Sequence, residues 1–368
     1  MRILGIETSC DETAAAVIET GEGDKKVELI SNVVASSLYL HSKTGGIIPE
    51  IAAREQVKYI IPVIKKAIEN CKLKIENLDA IAVTVGPGLI GSLLVGVETA
   101  RTLSYVWQKP IIPVNHLIGH IYANFVGESS KFKVQSSKFA AEEISFPAIA
   151  LIVSGGHTDL VLMRKHGSIK WLGGTRDDAA GEAFDKIGRL LGLPYPGGPA
   201  IEKVSERGDA SRFTFPRPMI NSNDFDFSFS GLKTAVSRHV ILIRQLAEKN
   251  PRDPSASPQD DTILSNVCAS VQQTVIDVLI AKTLKAAQKY KVKSILLGGG
   301  VAANQKLRTD LQSSIINLKS SINFFAPPKN LCTDNGAMIA SAAFFNYKPI
   351  PWSKITADPE LYFDDVLQ

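Results

Sequence analysis

One pattern occurs twice in this chain, and it limits the fold more than any other feature. "ILGIETSCDETAAAVIE" (residues 3–19) and "AIALIVSGGHTDLVLMR" (residues 148–164) each read as an apolar strand, a polar turn and a second apolar strand. Each half also carries an amphipathic or apolar helix that leads into a further strand and a glycine turn. In the first half these are "EQVKYIIPVIKKAIENCK" and "AIAVTVGPG"; in the second, "NVCASVQQTVIDVLIAKTLKAAQKY" and "SILLGG". An imperfect duplication of this kind predicts two α/β lobes, each opening with a hairpin whose tip is polar.

The length of 368 residues suits two such lobes, each burying its own core. The segment 127–143, rich in Ser and Lys, reads as a mobile linker between them, and 248–261 as an exposed loop. The domain expectation is therefore a first lobe over 1–126, a linker over 127–145, a second lobe over 146–335 and a C-terminal helix and tail over 336–368 that returns to the first lobe. "AIAVTVGPGLIGSLLVGV" has no charge over 18 residues, close to the lower limit for a membrane span. Gly86-Pro87-Gly88 divides it, so it reads as a buried strand, a turn and a buried helix, and no membrane association is expected. The four cysteines are far apart, with no Cys-x-x-Cys pair, which argues against a zinc ribbon or a disulfide framework. No signal or transit peptide is expected ahead of the first strand, so the expected location is the cytoplasm. A formal net charge of +4 permits a nucleic-acid partner without arguing for one.

The glycine runs "GPGLIG" and "GGGVAA" resemble dinucleotide fingerprints, but neither is followed at the required distance by an acid to hold a ribose. Such turns still let backbone N–H groups approach phosphate, and their recurrence at equivalent points of two lobes favours nucleotide binding. His116 and His120 stand at i and i+4 in "NHLIGH", on one face of a helix, where they suit a metal ion. A zinc protease would need His-Glu-x-x-His, and the intervening residues supply no carboxylate. "DFDFSFS" alternates perfectly and reads as a strand with Phe225, Phe227 and Phe229 in the core. "CTDNGAM" sets Asp334 in a turn before a helix of small residues, where it can cap the helix or bind a metal.

Ten stretches, among them "GIETSCDETAAAV", "TVGPGLIGSLLVG", "NHLIGHIYAN", "LIVSGGHTDLV", "DDAAGEAFDK", "YPGGPAIEKV", "LLGGGVAANQKLR" and "CTDNGAM", together resemble the tRNA threonylcarbamoyladenosine transferase family, once labelled O-sialoglycoprotein endopeptidase. The resemblance is to its bacterial-type branch, since Ile152 stands where the archaeal branch has a tyrosine. It implies an actin-like, sugar-kinase-like, Hsp70-like two-lobed ATPase fold of the ribonuclease H-like type. It also implies that His116, His120 and Asp334 bind one metal ion, iron(II) or alternatively zinc. The backbone of Ile152, Val153, Ser154, Gly155 and Gly156, with Asp185, Gly198, Glu202 and Asn304, would hold threonylcarbamoyl-AMP or ATP/ADP with Mg. Amides of Ser154, Gly155 and Gly156 would meet the phosphate, and Ser9 and Asp11 would serve as catalytic residues that position the acceptor or take a proton.

The implied reaction transfers a threonylcarbamoyl group to N6 of adenosine 37 in tRNAs that read codons beginning with A. The implied partners are tRNA, a smaller paralogous subunit and a separate ATPase. The paralogue is expected on helices between Ala52 and Tyr105, and Lys131, Lys133 and Lys138 are candidates to touch tRNA. The alternatives are a small-molecule kinase of the same fold, which leaves the histidine pair without a task, and a metalloprotease, which lacks its base.

Overall fold

The computed structural model describes residues 1–21, 23–128, 143–249, 261–318 and 321–363. The first lobe runs β1 (Arg2–Glu7), β2 (Glu12–Glu19), β3 (Val27–Ser36), α1 (Leu38–Thr44), α2 (Pro49–Asn70), β4 (Ala80–Gly86), α3 (Ile90–Trp107), β5 (Ile111–Asn115), α4 (His116–Tyr122) and β6 (Val126–Glu128). The second runs β7 (Ala148–Val153), β8 (Thr158–Lys165), β9 (Ser168–Gly174), α5 (Ala180–Leu190), α6 (Gly197–Ser205), α7 (Ser230–Lys249), α8 (Asp261–Tyr290), β10 (Ser294–Gly298), α9 (Gln305–Asn317) and β11 (Asn323–Phe325). Helix α10 (Gly336–Phe345) follows.

The two sheets share one topology. The first has the order β5-β4-β1-β2-β3-β6 and the second β11-β10-β7-β8-β9. In both, the opening strand pairs antiparallel with the next and parallel with the strand that follows the lobe's first crossover. The fold is the duplicated two-lobed α/β class expected from the repeat.

Period-two alternation divides each strand between two cores. In β1 and β2, Ile3, Ala16 and Ile18 face the space between the sheets, while Leu4, Ala15 and Val17 face α2 and α3. In β7, Ala148, Ala150 and Ile152 face that same central space, while Ile149, Leu151 and Val153 join the core under α5, α7 and α8. Helices α4 and α10 fill the central layer, so the molecule stacks helix, sheet, helix, sheet, helix.

Close approach of α10 to the first sheet depends on glycine. A Cβ on Gly5 would lie 2.2 Å from the Gly336 carbonyl oxygen, and one on Gly336 would lie 2.4 Å from the Ala16 nitrogen. The small-residue sequence of α10 is what lets its backbone rest on β1 and β2.

The uncharged stretch after Asp79 is strand β4, a turn and helix α3, not a span. Among the described residues only α8 is long and apolar enough to cross a membrane, and 72% of its apolar window is buried inside the protein. Residues 129–142 of the linker, with Lys131, Lys133 and Lys138, and residues 250–260 of the second loop lie outside the described residues.

One reading needs correction. "DFDFSFS" is not a strand: its only ladder contact is a single bridge between Thr175 and Phe227. The three phenylalanines are buried, at 5%, 0% and 1% exposure. The polar residues between them are held by side chains instead. Arg176 binds Asp224 and Asp226, and Asp177 accepts from Ser228 and Ser230.

Candidate active site

Strand β5 ends at Asn115, whose side-chain oxygen accepts from the N–H groups of Leu117 and Ile118 at 2.8 and 3.2 Å and so starts α4. This fixes the first turn, and the i, i+4 spacing puts both imidazoles on one side, with ring centroids 4.6 Å apart. Asp334 comes from the turn before α10, where Asn335 caps the helix by accepting from Met338 N–H at 3.0 Å. Its Oδ1 lies 3.3 Å from His120 Nε2 and 3.7 Å from His116 Nε2.

One ligand atom from each of the three residues lies within 4.8 Å of the other two. The nitrogen-to-oxygen separations of 3.3 and 3.7 Å are ones that two bonds of about 2.0–2.2 Å to a common ion can span. A second observation points the same way. His120 is 1% exposed, yet among the described residues its Nδ1 has no hydrogen-bond partner and its Nε2 has only the Asp334 oxygen at 3.3 Å, outside hydrogen-bond geometry, a costly state for a buried imidazole unless an ion takes a lone pair. Two imidazoles and one carboxylate form a donor set that suits iron(II) or zinc and leaves coordination positions open.

Glu7 is the residue the sequence reading missed. It is fully buried at the end of β1, with Oε2 3.1 Å from His116 Nδ1. Thr84 and the Ser9 N–H also donate to it. A carboxylate there takes the Nδ1 proton of His116 and leaves Nε2 for the ion. A charged residue closing the apolar run Ile3–Ile6 was the available signal. Nor does Glu7 restore the protease reading, because its oxygens are already engaged by these donors.

Ser9 joins the same group: its Oγ lies 3.1 Å from His116 Nδ1. Asp11 is 7% exposed in the β1–β2 turn, and its carbonyl accepts from Ser37 N–H and Oγ. Burial, then Asp334 and Asp11, push the Glu12 carboxyl well above its ordinary range.

The second lobe brings its expected residues to the carboxyl ends of β7 and β10, where open α/β sheets hold ligands. Ile152 and Val153 are inside β7 and paired with β8. Ser154 N–H donates to the His157 carbonyl at 2.8 Å, so the expectation that this amide faces a phosphate is corrected. Gly155 and Gly156 are exposed, and a Cβ on either would meet nothing within 4 Å. Gly299 turns beneath them at φ +90°, where a Cβ would lie 2.4 Å from the Val153 carbonyl oxygen.

Asp185 Oδ1 accepts from Gly197 N–H at 2.7 Å, next to Gly198. Glu202 accepts from Gln305 N–H at 2.7 Å, and Asn304 caps α9 while donating to Gln272 at 2.9 Å. The Asn304 and Glu202 side chains therefore anchor the start of α9. Tyr195 links the two lobes: burial, then Asp185 and Asp11, raise its phenol above the ordinary range. His157 is a second residue the reading left out. Burial first, then His116 and His120, lower it to about 4, so it faces the His116 and His120 pair as a neutral imidazole.

Residues 28–341 match the family model described as TsaD, tRNA N6-adenosine threonylcarbamoyltransferase. A protein of that name from Moorella thermoacetica is 46% identical over 345 residues, covering 94% of this chain and 92% of its own. Another from Bacillus subtilis is 47% identical over 342 residues, covering 93% and 89%. The chain belongs to this family. As a tRNA N6-adenosine threonylcarbamoyltransferase family member it is a transferase, and the kinase and protease alternatives are set aside. The structure is also similar to full-length HypF in its phosphate- and nucleotide-bound form, with TM-score 0.55 and 12% identity, over 94% of this chain and 46% of HypF. At that identity the likeness supports the actin-like, sugar-kinase-like fold alone.

The His116, His120 and Asp334 group has a pH signature. Burial disfavours the His116 imidazolium, but Glu7 and then Asp334 outweigh it and raise the pKa to about 9 in the ion-free protein. Burial raises the Asp334 carboxyl, and His116 and His120 outweigh that to bring it to about 2. An entering ion must therefore expel one proton from His116 at any pH below about 9. Zinc titrations between about pH 6.5 and pH 8.5 should show affinity rising roughly tenfold per unit, with release of about one proton per ion. A pH-independent affinity would exclude His116 as a ligand.

Proposed function

We propose that the chain transfers the threonylcarbamoyl group of threonylcarbamoyl-AMP to N6 of adenosine 37 in tRNAs reading codons that begin with A. The observation that carries this reading is the His116, His120 and Asp334 cluster beside an open glycine turn, in a member of a family with that activity in its name. A divalent ion held by these three residues, iron(II) or zinc, would supply Lewis-acid polarisation of the carbamoyl oxygen.

The chain's own residues account for the rest. Glu7 fixes the His116 tautomer. Amides of Gly155 and Gly156 face the phosphate, where charge grows as the anhydride bond breaks. Asp185, Gly198, Glu202 and Asn304 border the adenosine end, and the same cradle accepts ATP or ADP with Mg. Ser9, beside His116, and Asp11 at the hairpin tip border the acceptor side and orient the N6 amine. The mixed anhydride is already activated, so alignment of the amine is the larger task.

The test is transfer of labelled threonine into tRNA in a mixture with bicarbonate, ATP and the cognate partner proteins. Label in the tRNA, and none when this chain is left out, is the expected result. Equal labelling without the chain would overturn the assignment.

The partners proposed are tRNA, a smaller paralogous subunit and a separate ATPase, in the cytoplasm. Apolar side chains exposed at helical spacing support a protein interface on α2 and α3: Val57 at 65%, Ile61 at 56%, Ile90 at 49% and Leu94 at 44%. The double variant V57D/L94D should keep its fold by circular dichroism and fail to co-elute with the paralogous subunit. Normal co-elution would remove this face as the interface.

A further inference from the structure

Behind α4 lies a cavity of about 650 Å³ that the transfer chemistry does not use. Ile118 lines it and stands two residues from both His116 and His120. That is about 200° round the helix, so the cavity is on the side of α4 away from the metal group. Its walls come from both lobes. Val114 of β5 lies on one side, the β8–β9 turn with Lys165 and His166 on the other, and Phe345 and Lys348 close it at the end of α10.

The wall chemistry has a sign and a shape. Among the described residues no Asp or Glu lines the cavity, whereas Lys165 and Lys348 do, both exposed and neither in an ion pair among those residues. Below them His166 and Phe345 stack face to face, with centroids 4.3 Å apart and planes 10° from parallel, a fixed aromatic wall. His166 Nδ1 is fixed by Tyr122 Oη at 3.2 Å, so the ring is held in that plane. The volume falls in the range of small-ligand pockets, which pair apolar walls with a few convergent polar groups.

We propose that this cavity is a second binding site, for a small organic anion whose apolar body packs against the stacked His166–Phe345 pair and whose acidic group sits between Lys165 and Lys348. Because its walls join β5, α4, α10 and the β8–β9 turn, an occupant ties the two lobes together behind the helix that carries the histidine ligands.

The test uses the purified full-length chain and two fluorescent probes, anilinonaphthalene sulfonate and its uncharged analogue N-phenylnaphthylamine, with excess AMP present to occupy the glycine turn. The sulfonate should bind saturably at about one site per chain, at least about tenfold more tightly than the neutral probe. The double variant K165Q/K348Q changes only exposed side chains and should bind the sulfonate at least about tenfold more weakly, while K43Q, which removes a lysine remote from this cavity, should not. Absence of saturable binding, equal affinity for the two probes, or unchanged sulfonate affinity in K165Q/K348Q would each overturn the proposal.

Discussion

Replacing His116 and His120 together by alanine is expected to lower threonine transfer to tRNA by at least about a thousandfold, the scale of several kcal/mol of charge stabilisation removed from the reacting centre. Metal analysis should fall from about one ion per chain to near zero. The protein itself should stay folded. Helix α4 is held by the Asn115 cap and by Leu117 and Ile121, both fully buried, and Glu7, which loses His116, keeps the Ser9 N–H and the Thr84 hydroxyl as donors. Circular dichroism and a thermal melt separate the two effects. A folded double variant that retains wild-type transfer would remove the metal from the mechanism.

The second large effect is on stability. Gly336→Ala would put a methyl group 2.4 Å from the Ala16 nitrogen and 2.7 Å from both the Ala15 carbonyl carbon and the Gly5 carbonyl oxygen. All three are backbone atoms of central strands and cannot rotate away, so α10 has to lift off the sheet. Overpacking usually costs about 1–3 kcal/mol, and contact with backbone on both sides puts this case at about 3 kcal/mol or more. The melting temperature should fall by several degrees. Metal affinity should fall with it, since Asp334 is two residues before the displaced glycine. Gly231→Ala is the control, because a Cβ there meets nothing within 4 Å, and it should melt at or slightly above the wild-type temperature. Equal melting of G336A and the parent would show that α10 does not rest on β1 and β2 as described.

The architecture was legible because it depends on periodicity. The alternation of β1, β2 and β7 and the glycine turns after strands are local signals, and two copies of one strand order follow from them. The histidine pair was legible for the same reason, since i and i+4 define a face without knowledge of the rest of the chain. Asp334 was brought in by the family resemblance, because nothing local connects it to β5. Glu7 was missed because its role depends on what β4 and α4 bring beside it, namely Thr84 and His116.

The misread strand has a related cause. In "DFDFSFS" alternation reports burial on one side, but the other side is satisfied by Arg176 and Asp177 and not by a neighbouring strand. The Ser154 amide shows a third limit. Glycine-rich composition predicts an open turn, yet which N–H closes it depends on a single backbone bond to His157.

Helix α10 covers a face made by the first twenty residues, and Asp334 stands two residues before it. A ribosome making this protein therefore releases β1 and β2 long before their cover exists, and it releases both imidazoles long before Asp334. The proposed ion site is incomplete until the chain has been made past Asp334, and a chain that stops short of Gly336 leaves an apolar sheet face open to chaperones and proteases. Quality control and completion of the proposed ion site are thus tied to the same late event, arrival of one short helix.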